Sequence, residues 1–212
     1  IQQPVCTFSS GGDAMAATPS YGTGVGNIRT CSIVVADGDT NGAVTFSVAY
    51  EDSAGIAGVA DTSADSGAVT IDNTHPTASA AVLAIAGSGN GNNGDSMTLT
   101  ITPSETIGTP TCVFKSGGAA MANTVGYSTS GSDHICTIAV ADADTDGSVT
   151  FTLDFSDSAG NAATQVTSAS AGSVTIDNTH PTATAAVLAI AGTGNGNNGD
   201  SMPLTITPSE TI

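Results

Sequence analysis

One stretch of the chain occurs twice. IDNTHPTASAAVLAIAGSGNGNNGDSMTLTITPSETI begins at Ile71 and returns at Ile176, an offset of 105 residues, with differences only at Ser79/Thr184, Ser88/Thr193 and Thr98/Pro203. Upstream the copies diverge but still align: CTFSSGGDAMA from Cys6 matches CVFKSGGAAMA from Cys112, and TCSIVVADGDTNGAVTFSV matches ICTIAVADADTDGSVTFTL. One inserted residue in the first copy accounts for the offset of 106 between the leading cysteines. A period of this size is too long for a solenoid unit and fits a small domain repeated in tandem.

With the boundary set just after Asp-Asn-Thr-His-Pro, residues 77–181 form one complete copy. Residues 1–76 then hold the last two thirds of a domain without its first two strands, and 182–212 hold the first two strands of the next. The ends complement each other. Glu210-Thr211-Ile212 followed by Ile1-Gln2-Gln3-Pro4-Val5-Cys6 parallels Glu105-Thr106-Ile107-Gly108-Thr109-Pro110-Thr111-Cys112, with one extra residue. The chain therefore reads as a piece of something longer, opened inside a domain. Either a continuous tandem array was cut there, or each subunit lends its C-terminal strands to residues 1–76 of the next, closing a sheet edge by strand addition. In both cases the partner is another copy, and the product is a head-to-tail polymer or array.

Strands are legible from period-two alternation. Met97, Leu99 and Ile101 face one way and Thr98, Thr100 and Thr102 the other; Val149, Phe151, Leu153 and Phe155 repeat the pattern, as do Val44, Phe46, Val48 and Tyr50 in the first copy. Further runs at 80–86, 111–115, 135–141 and 173–177 bring each copy to about seven short strands separated by Gly, Asn, Asp and Ser clusters, with no convincing helical period. The expected fold is all-β: tandem immunoglobulin-like Greek-key sandwiches in a linear fibre. Pro203, standing where the other copy has an outward Thr98, suggests an edge strand, because proline cannot donate to the ladder.

The chain has 19 acidic and 2 basic side chains, a formal charge of −17. Arg29 and Lys115 are too few to neutralise nucleic-acid phosphates or to hold the chain on an anionic membrane. The longest apolar run, 80–86, falls well short of the roughly 20 residues of a spanning helix. Nucleic acid and membrane insertion are both excluded as expectations.

Cysteines fall one pair per copy, Cys6 with Cys31 and Cys112 with Cys136. Within a copy both share a strand face with apolar neighbours, and the natural reading is an intradomain disulfide, which places the protein outside the reducing cytosol. The alternative is four buried free thiols; zinc is disfavoured because no CxxC spacing occurs.

The phrases GDSMTLTITPSE, DADTDGSVTFTLDFSDSAGN and VTIDNTHPT resemble the bacterial Ig-like repeats found in tandem in very large surface adhesins and extracellular fibres. The resemblance covers essentially the whole chain, although Ile56 replaces the Asn found at 161. It implies a secreted or surface-displayed stalk or fibre and no catalysis. Such motifs mark strands and turns and say little about ligand.

Two segments carry candidate metal chemistry. Asp142, Asp144 and Asp146, followed by Gly147, have the D-x-D-x-D-G spacing that gathers alternate carboxylates around Ca2+, with Asp37, Asp39 and Asn41 as counterparts. The twelfth position is Leu153 or Val48, so this is no EF-hand; the plain reading is an acidic hairpin turn. A weaker candidate is the linker, Asp72 and Asn73 in one copy and Asp177 and Asn178 in the other, which looks like the calcium-rigidified junctions of cadherins. Its plain reading is an Asx-turn followed by proline.

No catalytic role is expected. Two of the three histidines are linker copies, His134 aligns with Arg29, and the contiguous Ser132, Asp133 and His134 do not make a triad by adjacency. The leading expectation is an extracellular structural fibre. Its rival is an adhesin-type module in which the divergent segments 9–30 and 115–134 form loops that bind a carbohydrate or surface protein, with Tyr21 and Tyr127 as their only aromatics apart from the strands. Outward Thr and Ser would suit O-linked glycans, and no N-x-S/T sequon occurs.

Overall fold

The computed structural model describes residues 2–22, 24, 26, 28–87, 90–190 and 194–210. Ile1, Thr211 and Ile212, and so the junction between the two ends, lie outside the described residues. In the first copy the strands are β1 (Val5–Ser10), β2 (Asp13–Ala14), β3 (Ser20–Gly22), β4 (Thr30–Ser32), β5 (Gly42–Ala49) and β6 (Thr70–Ile71). The second copy holds β7 (Ala78–Ile85), β8 (Asn90–Gly91), β9 (Ser96–Pro103), β10 (Thr111–Ser116), β11 (Ala119–Ala120), β12 (Gly126–Ser130), β13 (Asp133–Ala139), β14 (Gly147–Asp154) and β15 (Thr175–Ile176). The third supplies β16 (Ala183–Leu188) and β17 (Leu204–Pro208). No helix among the described residues is long and apolar enough to cross a membrane.

The second copy closes into a sandwich of two sheets, ordered β11-β10-β14-β15-β8 and β12-β13-β9-β7. All pairings are antiparallel except β15 with β8. Its first two long strands, β7 and β9, lie in one sheet and its third, β10, crosses to the other. This strand order is that of an immunoglobulin-like domain. The alternating apolar residues fill the space between the sheets: Met97, Leu99 and Ile101 of β9 meet Phe114 of β10 and Phe151 and Leu153 of β14 in one buried cluster. Cys112 of β10 and Cys136 of β13 form a disulfide that ties one sheet to the other.

The same rules build only part of this fold in the first copy. Strands β2-β1-β5-β6 form the counterpart of one sheet, and β3 pairs with β4 as the remnant of the second. A disulfide between Cys6 and Cys31 joins β1 to β4, so both cysteine pairs are bridged. The third copy contributes an isolated hairpin in which β16 pairs with β17 alone.

Three sequence readings change. The complete copy has nine strands among the described residues rather than about seven, because two-residue pairings at β8 and β11 carry no periodic signal. The divergent segment 115–134 is not simply loop: β12 pairs with β13 along Gly126–Ser130, although its side chains are all exposed and so do not alternate. Thr98 does not sit in an edge strand, since β9 lies between β13 and β7. Pro203 instead stands just ahead of β17, which begins at Leu204, consistent with the donor it lacks.

Candidate functional site

The two candidate cation segments turn out to be two halves of one clasp. Asp144 is buried at the turn between β13 and β14, where its Oδ1 accepts the Ala122 N–H and its Oδ2 the Ala141 N–H, each at 2.8 Å. Asp39 does the same in the first copy, accepting from Ala16 and Ala36 at 2.8 Å each. The amides of Ala36 and then Ala16 hold the Asp39 carboxyl below the usual carboxylate range. These aspartates therefore cap the chain between strands.

Asp146, two residues on, turns to the linker. Its Oδ1 accepts the Asn178 N–H at 2.6 Å and its Oδ2 the Thr179 hydroxyl at 2.5 Å. That amide, followed by the hydroxyl, holds the Asp146 carboxyl below the usual carboxylate range. Asn178 reciprocates, its Nδ2 donating to the carbonyls of Ala141 and Asp144 at 3.0 and 3.1 Å. In the first copy Asn41 Oδ1 accepts the Asn73 N–H at 2.7 Å, and Asn73 Nδ2 donates to Ala36 and Asp39 carbonyls at 3.1 and 3.0 Å.

The D-x-D-x-D-G carboxylates are thus not gathered on one point. Asp144 faces inward and Asp146 faces the linker; among the described residues Asp142 and Asp37 accept no side-chain hydrogen bond, and Asp142 borders a shallow hollow beside Asp177 and Asn92. Among the described residues, one trio of acidic side chains brings its oxygens within 4.8 Å of one another: Asp72, Glu105 and Asp157. It includes one linker candidate, Asp72, and two residues that the sequence reading missed.

This trio lies where the first linker meets the complete copy. Asn161 Nδ2 donates to the Asp72 carbonyl at 2.8 Å, and His75 Nδ1 donates to the Ala162 carbonyl at 2.8 Å. Both partners belong to the turn that follows β14. Asp157 organises that turn, accepting the N–H groups of Gly160 and Asn161 on Oδ1 at 2.7 and 2.8 Å and the Asn161 amide on Oδ2 at 2.8 Å. Burial pushes its carboxyl up, but the Asn161 side chain with the Asn161, Gly160 and Ala159 amides outweighs this and holds it below the ordinary range. Glu105 is driven the other way, by burial first and then by the charges on Asp72 and Asp157. The one sequence signal for this joint was position 161, where the first copy has Ile56.

The divergent segments form no aromatic platform among the described residues. Tyr127 meets His134 through its hydroxyl, and the hydroxyl of Tyr21 accepts the Cys6 N–H at 3.3 Å.

No protein-family model matches the chain, and no curated protein matches it. Among solved structures, the I-band fragment I67–I69 from titin is similar at 12% identity with a TM-score of 0.42, over 97% of this chain and 66% of that one. The titin domains Z1Z2 in complex with telethonin are similar at 15% identity with a TM-score of 0.27, over 83% of this chain and 81% of that one. A Bacteroides ovatus protein, SGBP-B in complex with a mixed-linkage heptasaccharide, is similar at 16% identity with a TM-score of 0.25, over 91% of this chain and 43% of its own. The chain thus spans just under two thirds of the length of the titin fragment. The immunoglobulin-like assignment rests on the strand order of residues 77–181.

Proposed function

We propose that this chain is a structural component of an extracellular fibre or stalk, built from repeated immunoglobulin-like sandwiches of the kind seen in tandem in bacterial surface adhesins. The observation that carries this reading is the linker 72–76. It is bonded backward to its own copy through Asn73 and forward to the next through the Asp72 carbonyl and His75. A linker held on both sides fixes successive domains in register, which suits a spacer under tension more than a freely hinged receptor. The two disulfides support a location outside the cytosol. Each also limits how far its domain extends under load, because Cys112 and Cys136 bridge the sheets that tension would part. The charge of −17 favours solubility of a long exposed surface.

The fold itself fits a binding module as well. A carbohydrate-binding reading wants exposed rings to stack on, and the divergent segments offer a single tyrosine per copy, each with its hydroxyl engaged. Immunogold labelling of intact source cells with an antibody raised against this chain tests the fibre reading. Gold beads spaced along surface filaments are the expected result; label confined to the cytosol, or on the surface with no filament beneath it, overturns it.

A further inference from the structure

The edge of a sheet is a row of unpaired amides and carbonyls, open to another strand unless the protein covers or spoils it. The complete copy, residues 77–181, treats its edges unequally. In one sheet the outer strands β11 and β8 are two residues long each. In the other sheet β7 is covered. The Leu83 N–H donates to the Ala171 carbonyl at 3.0 Å, the Ala81 N–H to Ser170 Oγ at 3.0 Å, and the Ser170 N–H to the Ala81 carbonyl at 2.8 Å.

Strand β12, at the opposite edge of that sheet, has none of these protections. It pairs with β13 over all five of its residues, Gly126–Ser130, without a bulge. All five are exposed, and among the described residues no backbone other than that of β13 bonds to them. The strand holds no proline, lysine or other charge, the residues that usually spoil an edge.

Charge decides what such an edge admits. A chain of net charge −17 repels a second copy of itself over most of its surface. From Ser116 to Ser132 it has no charged residue. The carboxylate that follows, Asp133, sits one strand back on β13 and accepts the Thr102 hydroxyl at 2.7 Å. Two copies can therefore meet at β12 without setting like charges against each other. The strand also suits itself. Turned antiparallel about Ser128, it meets a second β12 with all five residues paired: Ser128 faces Ser128, Gly126 faces Ser130, and Tyr127 faces Thr129. Hydroxyl against hydroxyl and aromatic against β-branched are both favourable cross-strand pairs. The register also keeps Tyr127 and Thr129 on one face of the joined sheet and Ser128 and Ser130 on the other.

We infer that β12 of one chain adds to β12 of a second copy, antiparallel and about a two-fold axis at Ser128, so that two four-stranded sheets continue into each other. Five residues a side, against the roughly 20–30 of a standard interface, make this a weak contact between single domains. It goes beyond the fibre reading and does not depend on it.

Hydrogen exchange on the 212-residue chain at rising concentration tests it. The β12 amides that β13 leaves free are expected to exchange at least about fivefold more slowly at ~1 mM than at ~10 μM. Added salt should enhance the slowing, because it screens the repulsion between acidic chains. S128D and S128K alter a side chain already in solvent and set like charges directly opposite each other in the pair. Each is expected to weaken association by about fivefold or more. An equimolar mixture of the two sets Asp against Lys and is expected to restore it. T150D, at an exposed position on β14 of the other sheet, is the control and is expected to behave as wild type. Amides of β12 that ignore concentration overturn the proposal, as does slowing that persists in S128D and S128K alone. A mixture that gains nothing over either variant overturns it too, since β12 would then be pairing with a different segment. Immunogold labelling tests the fibre reading separately, so either reading can fail while the other stands.

Discussion

Phe114 and Phe8 occupy the same place in two copies of one strand and face Phe151 and Phe46 across the same ladder register. In the complete copy the first pair is sealed beneath β9, its rings 6.4 Å apart at their centroids, while in the first copy Phe8 and Phe46 are only half-buried. The difference comes from the two strands that lie on top. Nearly identical sequence is a core residue at 99 and a surface residue at 204, so burial here belongs to the assembly of strands and only partly to the strand itself. The six strands of the first copy still form, pair in the same register and close the same disulfide. The ladder between β1 and β5 thus matches that between β10 and β14, while the buried cluster of the complete copy draws Leu83, Leu99 and Ile101 from the hairpin β7–β9.

The widest gap between the copies is expected from one substitution made twice. L99A should cost about 3 kcal/mol in urea unfolding of residues 77–181, the usual range for a fully buried leucine. L204A in the monomer should stay within ~0.5 kcal/mol, as for a solvated position. Equal costs would mean that the open copy is already covered.

Removing the bridges sharpens the contrast. The chain-entropy gain for loops of this size is about 3 kcal/mol in either copy. The consequence should differ: in C112A/C136A, β13 keeps β9 and β12 on its two sides, and its amides should remain protected from hydrogen exchange. In monomeric C6A/C31A, β4 keeps only β3 among the described strands, and the amides of Ser20–Gly22 and Thr30–Ser32 should exchange at nearly unprotected rates. Protection surviving there would show that the disulfide is not what holds β4 in place.

A smaller effect is expected at the joint. N161I gives the complete copy the residue of the first and removes the amide donated to the Asp72 carbonyl. About 1 kcal/mol is the usual worth of such a bond, and residual dipolar couplings should report a looser relation between the two flanking domains. Unchanged couplings would mean that the Asn161 amide does not set the joint and that the His75 bond to Ala162 suffices.

The slightest effect is the pH dependence at Glu105. Its folded-state pKa lies above the unfolded one, so the folded state holds the proton to higher pH. Stability at the joint is retained below the ordinary glutamate range and declines as pH rises through the raised value, where the charges of Asp72 and Asp157 repel the ionised form. Asp39, Asp146 and Asp157 act in the opposite sense: their contribution is present above the ordinary aspartate range and fades as pH falls through their depressed values. E105Q should therefore gain melting temperature over wild type as pH is raised from 4 toward 7. A difference independent of pH would break the assignment.

The repeat, the alternating strands and both cysteine pairs were legible because each is a local or periodic property. The joint was not. Alternate aspartates spell a cation loop when read along the chain, yet Asp144 spends its oxygens on Ala122, 22 residues away, and Asp146 on a linker more than 30 residues on. Backbone amides leave no mark in a sequence, so a carboxylate that caps them looks the same as one awaiting a metal. Glu105 sits in a phrase repeated without change, which hid it among turn residues. Strand β12 escaped notice for a related reason: flanked by only one strand and bare on both faces, it had no need to alternate.

Asn161 and Ile56 hold equivalent places in turns of the same design, since Asp52 accepts the Ile56 N–H at 2.9 Å as Asp157 accepts that of Asn161. Only the former can brace the carbonyl of the preceding linker. Of the two copies, the joint at the Ile56-type turn would lack this amide strut. Curvature in an array of such domains would collect at joints of the Ile56 kind, so bending stiffness would be set joint by joint by the residue at this one turn position.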